Sequence, residues 1–84
     1  MTELQYQIMD ELYFVISFED LKEKLSLSDS KLKLVLGSLL ALDYVKCFNN
    51  VSDEIPPQHL DFENNYRKYH YLASKEGLFA HNSR

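Results

Sequence analysis

The side chains best equipped for chemistry here are three histidines, His59, His70 and His81, and one cysteine, Cys47. Together they could supply the nitrogen and sulfur ligands of a zinc site. A structural zinc site draws its ligands from closely paired positions such as C-x-x-C or H-x-x-x-H. These four are scattered singly along the chain, so no metal is expected. Only two glycines are present, Gly37 and Gly77, too few for a phosphate-cradling loop. No Ser, His or carboxylate grouping stands out from what this composition would produce by chance, so no enzyme and no cofactor are expected. Cys47 lies in a strand-like run, where a small, buried, inert thiol is expected. Two groups of residues could bind rather than catalyse. Tyr66-Arg67-Lys68-Tyr69 is an aromatic-basic cluster of the kind that stacks on bases and holds phosphates. Ser30, Lys31, Lys33 and Ser38 offer hydroxyl and ammonium donors on one helical segment.

The elements that must position these residues can be read from capping signals and periodicity. Thr2 with Gln5 forms a capping-box pattern, and a helix is expected to run to about Phe14. Leu4, Ile8, Leu12 and Val15 share one face of it, and Tyr6, Met9 and Tyr13 form a second apolar stripe. Either the C-terminal segment covers that stripe or a partner does. Val15 and Ile16 are β-branched and predict a very short strand. Ser17 caps a second helix with Phe18, Leu21 and Leu25 inside. A Leu25-Ser26-Leu27 turn follows, and Ser28 caps a third helix, with Asp29 in its first turn where the helix dipole favours a negative charge. Leu32, Val35, Leu36, Leu39, Leu40 and Leu42 form its core stripe. Asp43 stands at its end, where a left-handed residue is needed. Residues 44–48 and 68–73 read as paired strands. Residues 49–67, with Pro56-Pro57 and two Asn-Asn pairs, read as a long loop. Ser74 caps a last short helix carrying Leu78 and Phe79.

The chain has 84 residues, 45% of them hydrophobic and 26% charged, which fits one domain with a thin core. No apolar run approaches a membrane span, and no basic leader opens the chain. A single cysteine suits a reducing, cytoplasmic setting. A net charge of −4 argues against reliance on nonspecific attraction to nucleic acid.

This order of elements, with ISFEDLKEKLSLSDSKLKLVLGSLLALDYV and YHYLASKEGL, resembles the winged helix-turn-helix superfamily. The second segment is similar to the Y-x-L-T-x-x-G ending of many bacterial transcription regulators. The resemblance implies a mainly α fold with a small antiparallel β-hairpin. The helix-turn-helix would occupy residues 18–43 and the wing residues 49–68. It also implies a third helix in the major groove and a wing on the flanking backbone. Ser30, Lys31, Lys33, Leu34, Gly37 and Ser38 would then face double-stranded DNA, with Arg67 and Lys68 on phosphates. Two features depart from the pattern. Asp43 replaces the usual glycine, and the wing is long and carries Asp53, Glu54, Asp61 and Glu63. The third helix also lacks the Arg, Asn or Gln that make bidentate bonds to bases. The Leu34/Gly37/Ala41 strip resembles a helix-packing surface. The expectation is therefore a DNA-binding transcription regulator, with a protein-binding winged helix as the alternative. A homodimer is expected through Tyr6, Met9, Tyr13, Leu78 and Phe79.

Overall fold

The computed structural model describes residues 1–83. Its elements, in chain order, are α1 (Glu3–Asp10), β1 (Ile16–Ser17), α2 (Phe18–Leu25), α3 (Asp29–Ala41), β2 (Val45–Phe48), α4 (Phe62–Asn65), β3 (His70–Ala73) and α5 (Lys75–Asn82). A 3-10 turn, Pro57–His59, sits in the connection between β2 and α4. The three strands form one antiparallel sheet in the order β1-β3-β2. This is a small α+β domain, mainly helical with a small sheet.

The helix starts follow from side chains that take over backbone donors left without a partner at a helix N-terminus. Thr2 Oγ1 accepts from the Gln5 N–H while Gln5 Oε1 accepts from the Thr2 N–H, closing the capping box. Ser17, Ser28 and Ser74 accept from the N–H groups of Asp20, Lys31 and Gly77 in the same manner. Two left-handed residues end helices: Ser26, φ 53°, after α2 and Asp43, φ 61°, after α3. Ser74 secures the second of these turns, since its hydroxyl donates to the Asp43 carbonyl at 2.6 Å.

The core gathers one face of each long helix over the sheet. Ile8, Leu12, Phe18, Leu21, Leu32, Leu36, Leu39 and Tyr71 are fully buried. Each such side chain contributes roughly 1.5–3 kcal/mol by leaving water, so this cluster is the main source of stability. The Tyr71 hydroxyl donates to the Tyr66 carbonyl, which meets the polar requirement of a phenol in the core.

Four expectations are corrected. First, α1 ends at Asp10 rather than Phe14. The Leu12 carbonyl is drawn off to the Ala73 N–H at 2.9 Å, so residues 11–13 close as a turn and Phe14 is left 83% exposed. Second, the connection at 49–67 is not loop throughout. Pro57 opens the 3-10 turn, and Asp61 caps α4 by accepting from the Asn64 N–H. Third, the strands are shorter than expected, Val45–Phe48 and His70–Ala73. The Lys68 N–H turns back to the Asn65 carbonyl, which keeps Lys68 out of β3. Fourth, Leu42 is half exposed and Leu40 only partly buried, so the core stripe of α3 is narrower than periodicity suggests.

Candidate interaction surface

The outer face of α3 is where sequence reasoning concentrated its binding residues. Ser30, Lys31, Leu34, Ser38 and Ala41 are exposed there, and Lys33 and Gly37 are partly covered. The covering element is α4. Phe62 lies so close that a Cβ on Gly37 would meet its Cε2 at 3.4 Å. Glu63 accepts from Lys33 Nζ at 2.7 Å, and that ammonium stands 4.9 Å from the centre of the Tyr66 ring. Tyr66 in turn packs edge-on against Phe18 of the core at 5.3 Å. These contacts seat α4 as a wall alongside α3. On the other flank Gln5 of α1 donates to Ser38 Oγ at 3.0 Å, while the Ser38 hydroxyl donates to the Val35 carbonyl.

Between the two helices lies an open cleft of about 710 Å3, lined by Ser30, Lys33, Leu34, Gly37, Phe62 and Tyr66 among others. Leu34 stands at its edge, 67% exposed. Such a surface offers an aliphatic anchor and two aromatic rings beside a few polar groups, a make-up suited to an apolar partner side chain.

Charges around the cleft are largely matched internally. Asp29 takes Lys22 at 2.6 Å and Arg67 at 2.8 Å. The close contact with the Lys22 ammonium, with the charge of Arg67, holds the Asp29 carboxyl below the usual carboxylate range despite its partial desolvation. Lys33 is held above the ordinary lysine value, first by its hydrogen bond to Glu63. Of the four cations expected toward DNA, Lys31, Lys33, Arg67 and Lys68, Lys33 and Arg67 are therefore engaged by acids of this chain. Lys31 and Lys68 are exposed and make no ion pair among the described residues.

The second stripe lies elsewhere, under α5. Met9 is fully buried and so is unavailable to a partner. Tyr6 is half-buried against the His81 ring, 5.9 Å between centroids. Tyr13 is 47% exposed, but its hydroxyl donates to Asn82 Oδ1 at 3.0 Å and lies 3.0 Å from His81 Nδ1. His81 Nε2 reaches Asp10 at 2.5 Å. Leu78 packs against the core, and only Phe79 remains well exposed. The C-terminal helix therefore covers most of the stripe. The Asp10–His81–Tyr13 bridge was invisible in sequence, because it joins residues about seventy positions apart with no local pattern.

Cys47 is buried, and desolvation pushes its thiol up to about 12, which suits the inert role expected of it. No His, Cys, Asp and Glu grouping able to hold a metal occurs among the described residues. No described helix is long and apolar enough to cross a membrane. Compared with known proteins, the chain matches no family model, no curated protein and no solved structure.

Proposed function

We propose that this chain is a winged-helix module that binds another protein through the cleft between α3 and α4. The winged-helix assignment rests on the element order and on the sheet order β1-β3-β2, with the long connection 49–69 in the place of a wing. The observation that carries the protein-binding reading is α4 fixed along the flank of α3, with Phe62 against Gly37 and Glu63 on Lys33. A major groove about 12 Å wide admits one helix, whose own diameter with side chains is about 10–12 Å. The helical turn held along one flank covers Lys33 and Gly37 and so leaves α3 fewer side chains to offer such a groove. The charge pattern agrees, because a DNA reader would gain little by spending two of its four cations on its own acids. Lys31 and Lys68 alone would neutralise few phosphates, each worth a slope of about −0.9 in log K against log salt. The module acts without catalysis or cofactor, and its lone buried thiol suits a cytoplasmic setting.

The test pairs a DNA selection with site-directed cross-linking. A photo-cross-linking residue at position 34 is expected to give one discrete protein adduct, and the same residue at exposed position 75 none. Leu34→Asp should leave the fold intact and abolish binding of the protein so identified. Selection from genomic duplexes at low salt is expected to enrich no sequence. Recovery of an enriched duplex whose binding is lost in the Lys31→Glu, Lys33→Glu double variant would replace this reading with a DNA-binding regulator.

A further inference from the structure

A second surface, independent of the α3–α4 cleft, lies along the outer edge of the sheet. β2 is an edge strand, paired with β3 on one side. The direction of its backbone groups is fixed by two bonds. The Ser74 N–H donates to the Tyr44 carbonyl at 2.9 Å, so Tyr44 faces β3, and Lys46 and Phe48 follow it by the two-residue alternation of the strand. The Ile55 N–H donates to the Cys47 carbonyl at 2.9 Å from the opposite side. Cys47 and Val45 therefore direct their backbone groups outward.

Past Ile55 the chain enters Pro56-Pro57, which have no N–H to continue the pairing. Pro57, opposite Val45 in that register, therefore cannot donate to the Val45 carbonyl, and the N–H groups of Val45 and Cys47 likewise make no backbone hydrogen bond among the described residues. Open N–H and carbonyl groups along an edge strand are a template for pairing with another chain. Here they lie at the floor of a cleft of about 540 Å3, walled by Leu40, Ile55, Pro57 and Leu60. Asp43, Glu54 and Glu76 also line the cleft, and its single lysine, Lys46, is already 3.6 Å from Glu54.

We propose that this edge accepts an extended segment of a partner protein, added to the sheet as a further strand beside β2. The occupant follows from the chemistry. Donor, acceptor and donor from alternate residues of one strand match an extended backbone and little else. The walls take an apolar side chain from that segment, and the acidic lining calls for a lysine or arginine next to it. A second copy of this chain is a poor occupant, because β2 against β2 would set these acids against each other.

The probe is a synthetic peptide of alternating valine and threonine with a lysine at each end. In 15N-labelled whole protein, its addition is expected to slow amide exchange at Val45 and Cys47 at least tenfold and leave the Leu34 region unmoved. N-methylation of the peptide's pairing amides, glutamates in place of its lysines, or Glu76→Lys in the protein should each weaken binding at least tenfold. Any of three results overturns the proposal. These are no change at the Val45 and Cys47 amides with millimolar peptide, equal binding of the glutamate peptide, or protection of the same amides by rising protein concentration alone. Loss of cross-linking at position 34 would leave this site untouched, so the two readings fail separately.

Discussion

At the scale of single residues, the two glycines make a sharp contrast. Both sit inside helices, where glycine costs about 1 kcal/mol relative to alanine. A Cβ on Gly37 would meet only Phe62 at 3.4 Å, an ordinary contact with an aromatic edge. A Cβ on Gly77 would lie 2.1 Å from the Tyr44 carbonyl oxygen and 2.8 Å from Met9 Cε, which no small adjustment can accommodate. Gly37→Ala is therefore expected to raise stability by up to about 1 kcal/mol. Gly77→Ala should lower it by about 1–3 kcal/mol or more, because α5 must be pushed off the Tyr44 backbone and Met9 of α1. Urea unfolding of both variants checks the pair, and a destabilised Gly37→Ala would mean that α4 tolerates no added bulk. In sequence, Gly37 lies on a strip suited to helix packing. The close approach is at Gly77 instead, where α5 crosses the carbonyl of Tyr44, and nothing local to Gly77 announces that crossing.

At the scale of elements, the parts legible in sequence are those whose cause is local. The caps at Thr2, Ser17, Ser28 and Ser74, the left-handed Asp43 and the buried face of α3 each depend on residues within a turn or two. The parts that were not legible have distant causes. α1 stops early because Leu12 is bonded to Ala73, and α4 forms because Phe62 and Tyr66 find Gly37, Tyr71 and Phe18. The same distance hid the site. The α3 residues are legible in sequence, whereas α4, which changes their meaning, lies in a stretch whose prolines and Asn-Asn pairs read as loop. One prediction belongs at this scale, because Asp29 ties α2, through Lys22, and the end of α4, through Arg67, to the start of α3. Its folded carboxyl is held below the ordinary value, mainly by the close contact with Lys22. Its contribution is thus fully present above the ordinary carboxylate range and is lost as pH falls through the lowered value. Thermal melts of the wild type should decline across that acid window, and those of Asp29→Asn should be lower at neutral pH and flatter on acidification. An equal acid slope in both would show that other carboxylates govern it.

At the scale of the whole molecule, the issue is whether the fold needs a second copy of itself. Its radius of gyration is 11.5 Å. A compact domain of this length is expected at about 12 Å, so the described residues are packed as tightly as a self-contained domain. The stripe expected to drive dimerisation is largely consumed: Met9 is in the core, and Tyr6 and Tyr13 are held by His81 and Asn82 of α5. Phe14 and Phe79 remain exposed, but single exposed apolar residues are ordinary on a protein surface. Sedimentation is therefore expected to give a monomer at high protein concentration, and a dimer abolished by Phe79→Glu would restore the α5 surface as an interface. Stability must then come from the internal core alone, which makes the core test stringent. Leu36 and Leu39 are fully buried at the centre of α3. Truncating either to alanine should cost about 2–5 kcal/mol. Small domains sit near the lower end of the usual 5–15 kcal/mol, so either change takes away a large share of the total. A monomer would show this loss at every concentration. An obligate dimer would instead recover part of it as concentration rises, because association adds stability by mass action. Melts of Leu36→Ala at two concentrations a hundredfold apart separate the cases. Coincident curves, well below wild type, are expected here, and an upward shift with concentration would show that a second copy completes the fold.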